Sequence, residues 1–241
     1  MNLAYGLERC RTFINTQIQP AGKGLTSAKH GELRRAVTIS RQTGSGAHVV
    51  AEKLAACLQA HTPKDARPWT VFDRNLVEQV LEDHNLPQRL ARFMPEDRVS
   101  EIADTMDELF GLHPPSWTLV RQTTDTILHL VELGNVIVIG RGATVITGKL
   151  DYVFHVRLVG SLEKRVAHIQ ELRCLSPQAA LELIRREDRG RRRYLKTHFK
   201  ADLDDPLLYH LVINTDLVSY ENAAQIIAEA MLKRDCSGLA D

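Results

Sequence analysis

Apolar positions in this chain fall into short unbroken runs and longer stretches spaced three and four apart. Ala36-Val-Thr-Ile-Ser40 is a β-branched run that ends in a glycine turn, Gly44-Ser45-Gly46. Val49, Val50, Leu54 and Leu58 follow on helical spacing. Trp69 to Asp73 predicts a second strand. From about 75 to 133 the pattern is helical, with faces at Leu76, Val77, Val80 and Leu81, at Ile102, Met106, Leu109 and Phe110, and at Leu119, Ile127, Leu130 and Val131. Val136-Ile-Val-Ile-Gly140 is unbroken and predicts a strand buried on both faces. Tyr152 to Leu158 alternates and predicts the next strand. Ser161 and Ser176-Pro177 open two helices, by an N-cap and by a cap followed by a first-turn proline. Leu211 to Thr215 predicts a last buried strand, and Ser219 caps a closing helix.

Strands alternating with helices predict an α/β fold, with a parallel sheet of about five strands and helices on both faces. Residues 1–35 read as an N-terminal extension, because Gln19 to Lys29 is small, polar and glycine-containing. Residues 36–241 form the expected domain.

Composition narrows the classes. Hydrophobic residues are 44% and charged residues 25% of 241, which excludes a wholly disordered or collagen-like chain. A net charge of +1 gives no bulk field that calls for nucleic acid or a membrane surface. Cys10, Cys57, Cys174 and Cys236 are far apart and form no Cys-x-x-Cys, so neither a zinc site nor a disulfide framework is expected. Without an 18-residue apolar run or a signal-peptide core, the reading is a cytoplasmic protein with no membrane span. Gly-x-Ser-x-Gly and His-Glu-x-x-His are absent, and no metal site is expected.

Four segments carry candidate chemistry. Ser40-Arg41-Gln-Thr-Gly44-Ser45-Gly46-Ala47-His48 lies between a strand and a helix, where backbone N–H groups and the helix dipole can wrap a phosphate. It fits Gly-x-x-x-x-Gly-Lys-Ser/Thr poorly: Arg41 replaces the first glycine, Ala47 the lysine and His48 the hydroxyl residue. A tight turn that needs glycine for its backbone angles alone is the competing reading. Gly140-Arg141-Gly142 ends a buried strand, on the edge where open α/β sheets bind ligands. Arg141 there either grips a phosphate or is a surface arginine. Phe72-Asp73-Arg74 ends the second strand; Asp73 either orients substrate or caps the following helix. Arg185 to Arg193 holds six arginines in nine residues, a pattern for forked recognition of phosphate, for a solvated face or for a nucleic-acid patch.

Taken together, these segments resemble the cytidylate kinase-like family. Ile39-Ser-Arg-x-x-Gly-Ser-Gly46 is similar to its altered phosphate loop, and Ile137-Val-Ile-Gly-Arg-Gly142 to its monophosphate-holding segment. Arg186-x-Asp188-Arg189-x-x-x-Arg193 resembles its arginine-rich lid, and Val212-Ile-Asn-Thr215 its final strand. The resemblance implies a three-layer P-loop kinase fold with a helical monophosphate-binding insert at about 75–133 and a lid at about 186–205. It implies ATP and Mg2+ as cofactors and nucleotides as substrates, CMP or dCMP first. Gly44, Ser45, Gly46, Ala47 and His48 would cradle the donor phosphates, with Arg165 helping. Asp73, Arg74 and Arg141 would serve the acceptor. Arg186, Arg189 and Arg193 would close over the transferred group. Arg41 would stand in for the lysine that Ala47 replaces. The same sequence also fits a degenerate kinase that senses a nucleotide or contacts a partner without turnover.

Overall fold

The computed structural model describes residues 35–63, 66–73 and 118–237. Five strands form one parallel sheet: β1 (Ala36–Arg41), β2 (Thr70–Phe72), β3 (Val136–Ile139), β4 (Val153–Val159) and β5 (Leu211–Asn214). Their order across the sheet is β2-β3-β1-β4-β5, which puts β1 in the middle. Its Ala36 stands opposite Val136 on one side and Val153 on the other. Strands this central are covered on both faces, which is why β3 is all valine and isoleucine and wholly buried.

Helix α1 (Ala47–Ala60) turns Val50, Leu54 and Leu58 onto one face of the sheet. Helix α6 (Tyr220–Ser237) lays Ala223, Ile227 and Met231 beside them, against Val37, Ile39 and Val156. The opposite face carries α2 (Thr118–Leu133) and the short α3 (Ala143–Ile146), with Ile127, Leu130 and Ile146 packed on Ala36, Val138 and Val153. Helices α4 (Leu162–Arg173) and α5 (Pro177–Phe199) form a hairpin with its own small core of Ile169, Ala180 and Ile184. Ser161 accepts from the Lys164 N–H at 3.4 Å, and Ser176 from the Ala179 N–H at 3.3 Å, so both expected caps form.

Two expectations change. β4 does not alternate; every residue from Val153 to Leu158 is buried. His155 and Arg157 tolerate this because His155 Nδ1 meets Thr38 Oγ1 at 2.8 Å, while Arg157 donates to Ser40 Oγ at 3.0 Å and Asp204 Oδ1 at 2.5 Å. β5 is an edge strand rather than a buried one: Ile213 is buried while Val212 is 47% exposed. It pairs with β4 alone, at the end of the sheet, and Ile213 is its one buried residue. The expected lid falls on the second half of one continuous helix, α5, and the loop behind it. Of the expected helical insert, residues 75–117 lie outside the described residues, and 118–133 are α2.

Candidate functional site

Because β1 is central, the loop that follows it opens between the ends of β3 and β4, at the point where the sheet's connections change direction. Gln42 fixes the loop's base: its N–H donates to Leu158 O at 3.0 Å, and its Oε1 accepts from the Gly160 N–H at 3.0 Å. Ser45 Oγ donates back to Gln42 O at 2.9 Å. Gly46 has φ 77, and a Cβ there would run into the ring of Tyr220. No side chain caps α1, whose N-terminus begins directly after Gly46. An uncapped N-terminus behind a glycine turn is an anion-binding arrangement.

Helices α4 and α5 hold this loop from the side. Asp188 Oδ1 accepts from the Thr43 N–H and from Thr43 Oγ1, both at 2.9 Å. Arg191 Nη2 donates to Asp188 Oδ1 at 2.6 Å and also contacts Thr43 Oγ1. Arg165, 8% exposed, donates to Asp188 Oδ2 at 2.9 Å, Thr43 O at 3.2 Å and Gly160 O at 3.0 Å. Burial alone would raise the Asp188 pKa; the Thr43 N–H and Arg191 outweigh it and hold the carboxyl below its ordinary value. The result is a charge-assisted clasp on the first residue of the turn.

The ends of β1, β2 and β3 bring more charge to the same edge. Arg41 Nη1 lies over Gly140, in the space a Cβ would fill. Burial, and then Arg191, lower the Arg41 pKa to about 10, with Glu187 and Asp73 acting in the other direction and Arg141 with the burial. Asp73 Oδ2 is 3.9 Å from His48 Nε2. Gly140, Arg141 and Gly142 are all left-handed, with φ of 81, 57 and 76. Holding an arginine in that conformation costs on the order of 1 kcal/mol or more, a form of strain found at binding sites. Beside the loop, Gly44, Lys164, His168, Glu171, Asp216 and Tyr220 line a cavity of about 240 Å³.

Residues 36–217 match the model of the cytidylate kinase-like family. The chain belongs to that family. A crystal structure of an uncharacterized protein from Eubacterium ventriosum has a TM-score of 0.64 at 19% identity, covering 83% of this chain and 99% of that one, and so shares its fold. A shikimate kinase from Bacteroides thetaiotaomicron has a TM-score of 0.44 at 12% identity, over 82% of this chain and 98% of that one. A uronate isomerase of Corynebacterium glutamicum is 29% identical over 116 residues, which is 48% of this chain and 22% of that protein. The chain thus spans about a fifth of that curated relative's length. Membership, the sheet order and the loop after β1 support a nucleotide-kinase type of function on a P-loop kinase fold. No helix among the described residues is long and apolar enough to cross a membrane.

Within this cytidylate kinase-like chain, the expected site residues divide into two groups. Gly44, Ser45, Gly46, Ala47, His48, Arg41, Arg165, Asp73 and Arg141 gather around the loop and the adjoining strand ends. Arg74 lies outside the described residues. Arg186, Arg189 and Arg193 do not meet the loop. A helix advances about 100° per residue, so Arg186 stands about 200° from Asp188, and Arg193 the same from Arg191. All three are exposed, on the face turned away. The residues that do reach the loop are Glu187, Asp188 and Arg191, with Thr43 as their target; of these the lid resemblance includes Asp188, and none carries an expected site role. A usable signal was present: Ile184, Asp188, Arg191 and Leu195 share one helical face, and Ile184 and Leu195 are buried.

Proposed function

We propose that this chain transfers a phosphoryl group from ATP to a nucleoside monophosphate, with CMP and dCMP as the first candidates. The observation that carries this reading is the clasp of Asp188 and Arg191 on Thr43, made at the edge where Arg41, Asp73 and Arg141 also converge. Gly44, Ser45 and Gly46, with the first amides of α1, would hold the donor phosphates. Arg141, aimed by its left-handed backbone, would hold the acceptor phosphate. Arg191 would neutralise charge on the transferred group, the task that the missing lysine leaves open at Ala47. Arg165 would act from beneath, keeping Thr43 and Gly160 in place for the loop. The cavity beside Tyr220 and His168, whose rings meet edge to face at 5.8 Å, would take the donor base.

The donor set fits a magnesium ion that arrives with the nucleotide. His48, where a hydroxyl residue would normally stand, is a nitrogen donor and a poor partner for so hard a cation. Asp73, 3.9 Å from His48, offers a carboxylate at the loop's mouth, suited to hold the ion's water shell. Bound there, the ion would offset charge on the phosphates. Residues 36–241 would form the kinase-like domain, residues 1–35 an extension, and the setting would be the cytoplasm, where ATP is at hand.

Ala47 favours a second reading, a nucleotide sensor that binds without turnover. A coupled assay of ADP release across a panel of nucleoside monophosphates separates the two. Release that requires one acceptor supports the kinase. No release from any acceptor, with ATP still raising the melting temperature, supports the sensor.

A further inference from the structure

We propose that the outer face of α5 is a second anion site, built for a small ligand carrying linked phosphates and separate from the glycine loop. Arg186, Arg189 and Arg193 stand there on one face, spanning about 10 Å along the axis. With Gly190 they border an open hollow on the helix surface.

The charge on this face is not neutralised from within. The two carboxylates in the middle of α5, Glu187 and Asp188, turn inward to Thr43, Arg165 and Arg191. Glu182, a turn upstream on the outer face, accepts from Gln178 at 3.0 Å and keeps its charge, so one carboxylate faces three guanidinium groups and the face stays net positive. Among the described residues, no ion pair involves Arg186, Arg189 or Arg193; Arg189 Nε donates only to the Arg185 carbonyl, at 3.2 Å.

The floor of the hollow supports a ligand as well. Glycine is disfavoured in a helix interior. Gly190 nevertheless sits there, and a Cβ on it would meet nothing within 4 Å. The space is open, flanked by three planar guanidinium forks, the geometry that suits phosphate oxygens. No aromatic ring lines it among the described residues, whereas single-stranded nucleic acid is usually met by stacking platforms. A compact oligophosphate fits this chemistry better than a polymer.

The test uses the full chain with its arginine Nε–H groups observed by NMR, and inorganic tripolyphosphate as the probe. The signals of Arg186, Arg189 and Arg193 should move together along one isotherm, distinct from that of Arg191. Calorimetry on R186Q/R189Q/R193Q should show that isotherm weakened by about tenfold or more, with the loop isotherm kept. These side chains are exposed, and an unchanged melting temperature checks the fold. Movement of Arg191 alone would overturn the proposal. So would a ten-nucleotide RNA that moves the three signals at lower concentration than tripolyphosphate, with steep salt dependence, because the face would then be a nucleic-acid surface. Both readouts are independent of turnover.

Discussion

Arg41 and Gly140 share one space: the guanidinium of the first fills the position that a Cβ on the second would take. The contact ties the end of the central strand to the end of β3, and it explains why glycine stands there. Gly140 also has φ 81, which any other residue adopts only under strain. G140A should therefore lose about 1–3 kcal/mol from its backbone alone, and more from displacing Arg41. Urea unfolding measures this. In an R41A background the steric part should vanish, so the two changes should be non-additive. Equal losses in both backgrounds would show that the guanidinium lies elsewhere.

The clasp on Thr43 should be sensitive to the charge of Asp188. D188N keeps the shape but leaves Arg165 and Arg191 without their shared carboxylate, at a cost of about 3 kcal/mol. Amide exchange at residues 43 to 46 should accelerate in step. The folded Asp188 has a pKa below its ordinary 3.8, so its contribution is present above about that pH and is lost as pH falls below it. D188N should remove that part of the acid dependence. Unchanged exchange at Thr43 would mean that the loop is held by something else.

On the proposed kinase reading, Arg191 and Arg41 compete for the role of the missing lysine, and turnover would separate them. R191A should lower kcat by about 100- to 1000-fold, the usual effect of removing a transition-state charge partner, with R191K recovering part of it. R41A should cost less, since its guanidinium packs over Gly140 and not on Thr43. A larger loss from R41A would reverse the assignment.

His155 makes the fold sensitive to mild acid. Burial first, then His210 and Arg234, lower its pKa from 6.5 to about 4. The unfolded chain takes up a proton near the ordinary value, while the folded chain resists until the lower one. Stability is thus full above about pH 6.5 and declines as pH falls toward 4, by about 3 kcal/mol in all. Unfolding midpoints across that range test the slope, and H155Q should flatten it. An equal slope in H155Q would assign the effect to other groups, His210 first.

The sequence carried the architecture because buried parallel strands write themselves as apolar runs. β1, β3 and the helix starts at Ser161 and Ser176 lie where composition and caps indicated. β5 was read as buried because Leu211 to Ile213 is apolar, yet its position at the sheet's edge, which no run of residues records, leaves Val212 exposed. The loop and Arg141 were legible as glycine punctuation after strands. The arginine run was legible as charge but not as two faces. Which arginines meet the loop depends on helical phase, set by the buried Ile184 and Leu195, and the count of arginines overrode that phase.

The central position of β1 also dictates a timetable. Its neighbours, Val136 and Val153, lie roughly a hundred residues downstream of Ala36. At a synthesis rate of roughly 5–20 residues per second, the strand leaves the ribosome several seconds before either partner exists. An apolar, β-prone segment with both edges open must wait through that interval, which makes chains halted before residue 136 the species most prone to aggregate. The glycine loop is delayed still longer, because Gln42 is anchored to Leu158 O. The nascent chain therefore cannot set the base of its glycine loop until β4 has been made, more than a hundred residues after the loop itself.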